Sequence, residues 1–218
     1  SEMDENILVY ENYDKNYISR FQSTQANLPV IRDSVDDPEG KRGQVYRFAL
    51  NDYRFMEGRS QSSFSTGLWE LNTDLYFDDL KAGICNIVGR MNSASGSWVK
   101  LLTFDHAEQK IRLGAENGTV IGDGYKVKRW YNVKLYIDFD NHSYYAYVTD
   151  AYGMEIAAGK GAFNYTSIEY LSLYIGSTAA SAPALVTTMY ADDYYYKRIR
   201  ETIMKKLFSI ITTLALLF

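Results

Sequence analysis

Tyrosine and tryptophan side chains are the groups in this sequence whose types and spacing most clearly suggest a chemistry. There are 20 tyrosines and 3 tryptophans, and YYAY at 144–147 and YYY at 194–196 form clusters. Aromatic rings stack on the apolar faces of sugar rings, and Asn, Asp, Arg or Gln can meet the hydroxyl groups. Because side chains alternate along a strand, each cluster must place rings on both faces. We predict a ligand-binding face that draws on Trp69, Trp98, Tyr144, Tyr145, Tyr147, Tyr194 and Tyr196. The alternative is core packing, since aromatic residues also favour strands.

The two histidines and the single cysteine limit the catalytic chemistry open to the chain. His106 and His142 are the only histidines, and Cys85 is the only cysteine. A pair of closely spaced histidine ligands, as in HExxH, is therefore excluded, as are an internal disulfide and a cysteine-based zinc cluster. The segments FDHAEQK and DNHS around the two histidines are typical of turns, so we predict that both rings are exposed to solvent.

The elements that must position these residues have the pattern of antiparallel strands from Gln44 onward, short runs separated by Gly, Asn, Asp and Ser. The clearest run is YNVKLYIDF, which divides into an apolar face and a polar face: Val133, Leu135, Ile137 and Phe139 against Asn132, Lys134, Tyr136 and Asp138. With the turn DNH and the return run SYYAYVT, residues 131–149 are predicted to form a hairpin. Further strands are predicted at 44–50, 63–72, 84–91, 97–105, 110–114, 168–176 and 187–199.

The composition is typical of one folded all-β domain. Hydrophobic residues make up 46% of the 218 residues, and no linker divides the chain. The formal net charge is -4, with Lys and Arg spread along the sequence, so nothing resembles the basic stripe of a nucleic-acid-binding protein. Helix-favouring sequence without breakers occurs only at 200–218. Strand spacing and turn signals predict an antiparallel β-sandwich.

The last fifteen residues, MKKLFSIITTLALLF at 204–218, have the pattern of a secretory signal peptide. As a helix, the twelve uncharged residues would span about 18 Å, against a hydrocarbon layer about 30 Å thick. Placed ahead of the acidic SEMDEN at 1–6, with a few more residues between, this segment resembles the start of a bacterial lipoprotein precursor, in which a polar tether follows a lipid-modified cysteine. We therefore predict an exported, lipid-anchored protein at the cell surface or in the periplasm. The alternative is a hydrophobic C-terminal segment that packs on the fold.

Four stretches of the body share a further pattern: VYENYD, GDGYKVKRWYNVKLYIDFDNHSYYAYV, IEYLSLYIGS and MYADDYYYKRI. Together they resemble the concanavalin A-like and laminin-G-like jelly rolls of bacterial secreted proteins, in which a WYNVKL-type hairpin leads through one strand to a closing strand with an Asp-Asp pair. The resemblance implies one jelly-roll β-sandwich over residues 7–199, between the tether at 1–6 and the tail at 200–218. Lectins, glycoside hydrolases, polysaccharide lyases and non-catalytic modules share this fold, so fold alone assigns no function.

The catalytic motifs of enzymes that share the fold are missing from the sequence. Hydrolases of this fold commonly carry an E-x-D-x-x-E strand, which places acid and nucleophile on one face. The nearest acidic run, Glu70 to Asp74 followed by Asp78 and Asp79, has a different spacing. Alginate-lyase-like members pair a Q-I-H or Q-V-H strand with Y-x-K-x-G-x-Y, and neither occurs. A Tyr-His-Arg lyase site assembled from distant strands remains open.

The resemblance also implies a structural calcium ion. Jelly-roll modules often join their first and last strands through an ion with oxygen ligands. When those strands pair, five oxygen-bearing residues could meet: Glu11, Asn12, Asp14, Asp192 and Asp193. The alternative is that the N-terminal residues lie in a polar loop and that one aspartate pairs with Lys197 or Arg198.

We thus predict a non-catalytic carbohydrate-binding or surface-accessory module. Its expected partners are a polysaccharide or glycan and, through a lipid anchor, the outer membrane. A polysaccharide lyase or glycoside hydrolase of the same fold is one alternative. A structural or adhesive surface protein that binds protein is another, and it would present one large apolar patch.

Overall fold

The computed structural model describes the backbone of residues 7–11, 21–22, 31–51, 54–79, 83–91, 98–164, 168–177 and 186–199, and side-chain environments within 35–47, 65–79, 99–164 and 188–199. Fifteen β-strands occupy these ranges. They are β1 Ile7–Glu11, β2 Phe21–Gln22, β3 Ile31–Asp36, β4 Gln44–Asn51, β5 Arg54–Phe64, β6 Leu68–Phe77, β7 Gly83–Met91, β8 Trp98–Asp105, β9 Lys110–Leu113, β10 Val120–Asp123, β11 Trp130–Asp138, β12 Ser143–Asp150, β13 Glu155–Ala162, β14 Ile168–Ser177 and β15 Val186–Ile199. In the described part, no helix is long and apolar enough to cross a membrane. The predicted tether at 1–6 and the predicted tail at 200–218 lie outside the described residues.

Strand β11 lies at the centre of the fold, and its side chains alternate between the two faces of the sheet. Val133, Leu135 and Ile137 are at most 1% exposed, because they lie on the apolar face of this strand. The predicted hairpin is confirmed: Tyr131 to Asp138 pair in antiparallel register with Asp150 to Ser143 of β12. On its other side β11 pairs with β6. Three adjacent strands therefore present one apolar and one mixed face.

The strands form one continuous antiparallel path that folds back on itself. The hydrogen-bonded order is β2-β5-β14-β7-β8-β9-β10-β13-β12-β11-β6-β15-β4-β3, and β1 pairs with β15. Leu101 and Phe104 of β8 share a core cluster with Leu135 of β11 and Leu71 of β6, although β8 and β11 lie five steps apart along the path. Burial of both inner faces against each other makes the all-β sandwich predicted from the sequence.

The predicted strand at 63–72 is wrong as a single element. The structure ends β5 at Phe64 and begins β6 at Leu68. Gly67 in the intervening turn has φ +79°, and its Cβ, if it had one, would lie 3.0 Å from the Arg198 guanidinium. Glycine adopts this left-handed backbone without steric cost, so the chain reverses within a sequence whose apolar pattern looks continuous.

A β-bulge in β15 sets which tyrosines face the core. Asp192 pairs with Asp74 of β6 and Tyr195 with Asn72, so one extra residue is inserted opposite β6, and Asp193 has φ +47°. A bulge of this kind shifts the phase of side-chain alternation. As a result Tyr194 and Tyr196 both point into the core, and each is 0% exposed.

Candidate functional site

The face of β13, β12, β11, β6 and β15 that points away from the main core cluster carries a regular pattern of aromatic and polar residues, and we call it the outer face. Part of it is buried: Tyr76 and Trp130 form a second small core cluster with Val45, and Asn72, Asp74 and Asp192 are at most 8% exposed. Cross-strand register arranges it in four rows. The rows are Tyr190, Tyr76 and Trp130; Asp192, Asp74, Asn132 and Thr149; Tyr195, Asn72, Lys134 and Tyr147; and Lys197, Glu70, Tyr136, Tyr145 and Lys160. From β15 to β13, the last row crosses four strand spacings, about 19 Å.

Three tyrosines of β11 and β12 form the open part of this face. Tyr136 lies directly opposite Tyr145, and Tyr147 lies opposite Lys134. Tyr145 is 37% exposed, and Tyr136 and Tyr147 are partly exposed. Burial, with Glu70 nearby, raises the pKa of Tyr136 to about 12, so its hydroxyl stays a neutral donor and acceptor at physiological pH.

Tyr195 extends this aromatic surface onto β15. Its hydroxyl donates a hydrogen bond to Glu70 Oε1 over 2.9 Å, and Lys197 Nζ lies 5.5 Å from its ring centroid. Burial and the Glu70 carboxylate raise the pKa of Tyr195. The ring is therefore held in place on the outer face by a charge-assisted hydrogen bond.

Arg42, from the loop between β3 and β4, joins two aspartates at one end of the outer face. Its Nη1 donates to Asp74 Oδ2 over 2.5 Å and to Asp192 Oδ2 over 3.2 Å. Its guanidinium carbon lies 4.2 Å from the centroid of the Trp130 ring. Charge pairing and cation–π contact hold this arginine in one orientation.

Asn132 and Asn72 complete this polar network. Asn132 Nδ2 donates to Asp74 Oδ1 over 2.6 Å and to Asn72 Oδ1 over 2.9 Å. Asn72 Nδ2 donates to the Asp193 carbonyl over 2.9 Å, at the bulge of β15. Each carboxylate oxygen of Asp74 therefore accepts a hydrogen bond, and β11, β6 and β15 are joined across the outer face.

Asp37 anchors the loop that carries Arg42. Its two carboxylate oxygens accept the backbone N–H groups of Glu39, Lys41 and Arg42 over 2.8–3.0 Å and the Trp130 indole N–H over 3.0 Å. Burial by itself would raise the pKa of Asp37, but these four donors lower it. The side chain is 6% exposed, so this carboxylate fixes the loop.

Asp192 has the opposite electrostatic character. Burial, followed by the neighbouring Asp193, raises the pKa of Asp192 to about 7, although Arg42 favours the ionised form. Its protonation therefore changes near neutral pH, and this alters the charge that Arg42 experiences.

The predicted ligand-binding residues divide between the two faces. Tyr145 and Tyr147 lie on the outer face. Tyr144, Tyr194 and Tyr196 are core residues, at most 4% exposed, and cannot contact a ligand on that face. Trp69 shares the inner face of β6, packs at the edge of the core and donates its indole N–H to the Thr66 carbonyl. The side chain of Trp98 lies outside the described residues.

Sequence reasoning missed the residues that organise the outer face. Asp37 and Arg42 lie in DPEGKRG, a turn segment whose Pro and Gly signal a loop but whose partners lie far along the chain. Arg42 is 32 residues from Asp74 and 150 from Asp192. The polar face of β11 was visible in the alternation, so Tyr136 and Asn132 could have been included.

Of the five predicted calcium ligands, the structure describes the side chains of Asp192 and Asp193 only, so the calcium site stays a prediction. Strand β1 does pair with β15, with Glu11 opposite Tyr194, but Asp192 bonds to the Arg42 cation. No group of three or more His, Cys, Asp or Glu residues that could hold a metal ion occurs among the residues that the structure describes. The Glu11 side chain, Asn12 and Asp14 lie outside the described part of the chain.

The prediction of an exposed His106 is wrong, whereas exposed His142 is confirmed. His106 does follow β8 in a turn, but Phe77 and Tyr125 close over it and leave the ring 3% exposed. Its Nδ1 lies 2.7 Å from Tyr125 Oη, and its Nε2 is buried with no hydrogen-bond partner among the described residues. Burial lowers the His106 pKa to about 4, against the opposing effect of Asp79 and Asp105. Tyr125 and His106 are therefore too deeply buried to contact a polysaccharide.

Comparisons with known proteins agree with this architecture. No family model matches the sequence, and no curated protein is similar to it in sequence. Among solved structures, a sialidase has a TM-score of 0.63 and 11% identity over 88% of this chain, which spans only 18% of the sialidase chain. Peanut lectin has a TM-score of 0.56 and 9% identity, and a Bauhinia forficata lectin in complex with GalNAc has 0.54 and 10%; each match covers 88% of this chain and 98% of the lectin. Such low identities show the fold alone. The chain therefore has the concanavalin A-like jelly-roll fold that its sequence motifs resemble.

Proposed function

We propose that the protein is a non-catalytic carbohydrate-binding module and that it binds its glycan on the outer face. The observation that carries this proposal is the adjacency of Tyr136, Tyr145 and Tyr147, partly exposed on two paired strands beside Lys134. Three rings at strand spacing can stack on successive sugar residues, and amide and ammonium groups between them can bind hydroxyl groups.

The shape of this surface supports binding to a polymer. The row of side chains from Lys197 to Lys160, about 19 Å across, is long enough for several sugar residues in line. Hydrogen bonds such as that from Tyr195 to Glu70 hold the surrounding side chains before the ligand arrives. Such preorganisation lowers the entropic cost of binding. The lectin-like fold agrees with this function.

The described polar clusters give less support to an enzyme. His106 and Tyr125, the nearest approach to a lyase pair, are at most 3% exposed. Asp74 and Asp192, the closest approach to a pair of hydrolytic carboxylates, both bond to Arg42, and Asp74 also accepts from Asn132. A nucleophile needs a free oxygen at the sugar. We therefore place cleavage among the outcomes to be tested.

Native affinity electrophoresis tests the proposal. The protein is run through gels that contain plant, algal and host polysaccharides, with and without chelator, and each lane is assayed for chain cleavage. We expect retardation by at least one polysaccharide without cleavage. Replacing both Tyr145 and Tyr147 by alanine should weaken binding at least about 30-fold, equivalent to about 2 kcal/mol.

Tyr152→Ala is the matched control, because Tyr152 is 89% exposed in the turn after β12 and belongs to none of the four outer-face rows. It should leave retardation unchanged. Cleavage in any lane would establish an enzyme instead. A protein that no polysaccharide retards would contradict the proposal and favour the adhesive alternative. Retardation lost with chelator and restored by calcium would support a calcium site formed by residues outside the described ranges.

Export and lipid anchoring form part of the same proposal. The support is the sequence at 204–218, with Lys205 and Lys206 before an uncharged run, and the acidic residues at 1–6. Peptide mass spectrometry and lipid labelling of the native protein test it. A lipid-modified cysteine close to Ser1 is expected. An unmodified native protein whose mature C-terminus is Phe218 would contradict it.

A further inference from the structure

Arg42 bonds to the described residues through only one of its terminal nitrogens. Nη1 makes both bonds, to Asp74 and to Asp192. Within the part of the chain that the structure describes, Nε and Nη2 make no hydrogen bond. The buried side-chain nitrogens without a partner there belong to His106 and Arg112, and the Arg42 side chain is 27% exposed. The Nε and Nη2 edge therefore carries donors that no described residue uses, on a side chain that is partly exposed.

This free edge is also held in a fixed plane. The ring of Trp130 lies against one face of the guanidinium, and the two aspartates hold its Nη1 end. The Nε and Nη2 groups of arginine form a planar fork that matches the two oxygens of a carboxylate. Since the fork is already oriented, little further ordering is needed when a carboxylate binds.

Lysines of the outer face add positive charge along the same surface. Lys134 lies two residues beyond Asn132 on β11, and Lys160 lies opposite Tyr145. Neither lysine makes an ion pair within the described residues. The acids on this face are the pair held by Arg42; Glu70, which accepts the Tyr195 hydroxyl; Glu155, opposite Thr149 and near Tyr145; and Asp138 at the end of β11, which accepts from Asp140 and Asn141 in the following turn. These lysines contrast with the net charge of -4 of the whole chain.

We propose that the glycan is a polyuronate and that the Nε and Nη2 edge of Arg42 binds one of its carboxylates, with Lys134 close to the next sugar. This inference rests on the proposed function and adds a ligand class and a subsite. The tyrosines would stack on the sugar rings, and the arginine would read the acidic substituent. Amide and hydroxyl groups alone cannot distinguish an acidic from a neutral sugar so strongly.

Matched ligands separate this inference from the proposed function. Affinity electrophoresis is run with polygalacturonate and alginate, with the carboxyl-reduced neutral form of each polymer, and with a sulfated galactan. We expect at least one polyuronate to retard the protein and its reduced form to do so at least tenfold more weakly. Equal retardation by the reduced polymers, or retardation by the sulfated galactan alone, would overturn the polyuronate assignment while leaving glycan binding intact. No retardation by any polymer would overturn both.

Substitutions locate the subsite. Arg42→Lys keeps the charge beside Asp74 and Asp192 but removes the fork, and should weaken polyuronate binding at least tenfold with little change for neutral polymers. Its melting temperature is measured to show that it is folded. Lys134→Ala provides an independent variant at a partly exposed position of β11 and should weaken polyuronate binding about threefold to tenfold. Lys110→Ala, on β9 and paired with Glu108, is the matched control. Unchanged polyuronate affinity in both Arg42→Lys and Lys134→Ala would overturn the inference.

Discussion

Two polar clusters of the protein differ in how far they are open to solvent. At the outer face, Arg42, Asp74 and Asp192 form an ion-paired group in which the partly exposed arginine carries donors that no described residue uses. At the core, His106 and Tyr125 form a hydrogen-bonded pair enclosed by Phe77 and Phe104. Only the outer cluster can meet a ligand without unfolding part of the protein.

The difference between these clusters shows which features distinguish structural from ligand-binding polar groups. Burial lowers the pKa of His106 to about 4, and its Nε2, which has no partner among the described residues, faces packed protein. Such a buried group affects the stability of the fold but cannot contact a ligand at the surface. Arg42 combines fixed orientation with open hydrogen-bonding capacity, which is what a binding site requires. A shifted pKa alone does not distinguish a binding site from a structural cluster, because each cluster contains a shifted group, Asp192 in one and His106 in the other.

The largest expected effect comes from removing the anchor of the loop that carries Arg42. Asp37→Ala leaves three backbone N–H groups and the Trp130 indole N–H without their acceptor. We expect the free energy of unfolding to fall by about 3 kcal/mol, because each buried donor left unpaired costs about 1–3 kcal/mol unless water reaches it. Urea denaturation measures this change.

Glycan affinity of the same variant tests the link between loop and outer face. We expect it to fall at least tenfold, since Arg42 loses its fixed position over Trp130. Asp36→Ala is the control, because Asp36 is exposed and accepts from Gln44. If Asp37→Ala and Asp36→Ala bind the glycan equally well, the loop does not position the site.

The next largest effect concerns the core cluster and pH. His106 has a pKa of about 4 in the folded protein and about 6.5 when unfolded. The unfolded chain therefore binds the proton first, so the stability that neutral His106 supplies is complete above pH 6.5 and is lost as pH falls towards 4. The loss is about 3 kcal/mol, from 1.36 kcal/mol per pKa unit.

Urea denaturation between pH 7 and pH 4 measures this effect by difference. His106→Gln should show a smaller loss of stability over that range, and its glycan affinity at pH 7 should be unchanged. His142→Gln, at an exposed turn position, should behave like the wild type. A loss in His106→Gln as steep as in the wild type would mean that His106 is not the group that titrates.

The smallest expected effect comes from the protonation of Asp192, in the outer-face cluster. Its pKa of about 7 means that its negative charge is lost as pH falls through neutrality. Of the two described carboxylates that bond to Arg42, only Asp74 then keeps its negative charge. We expect polyuronate affinity to rise about threefold between pH 8 and pH 6, below 1 kcal/mol, with no matching change for the carboxyl-reduced polymer. Asp192→Asn should abolish the rise; affinity that falls over this range in the wild type would contradict the charge assignment.

Local pattern was enough to predict the centre of the fold. Alternation in YNVKLYIDF and the turn DNH identify β11, β12 and their hairpin, and place Tyr145 opposite a polar position. The pairing of the first and last strands followed from the family resemblance. These features depend on residues that are close in sequence or on a recurring topology, so they can be inferred without coordinates.

Long-range geometry determined what the sequence could not predict. The bulge at Asp193 changes the phase of β15 and moves Tyr194 and Tyr196 into the core. His106 lies in a turn as expected, but Phe77, from a strand far away in sequence, covers it. Arg42 meets its aspartates only after the sandwich has closed. Periodicity carries no information about such contacts.

The most direct test of the central claim maps where a bound glycan lies. Hydroxyl-radical footprinting with mass spectrometry is performed with and without the polysaccharide that gives the strongest retardation. We predict that the ligand protects Tyr145 and Tyr147, while Tyr152 and Met154, which are 89% and 67% exposed in the turn of the next hairpin, stay as reactive as before. Protection of Tyr152 and Met154 with unchanged labelling of Tyr145 and Tyr147 would place the glycan elsewhere and contradict the account.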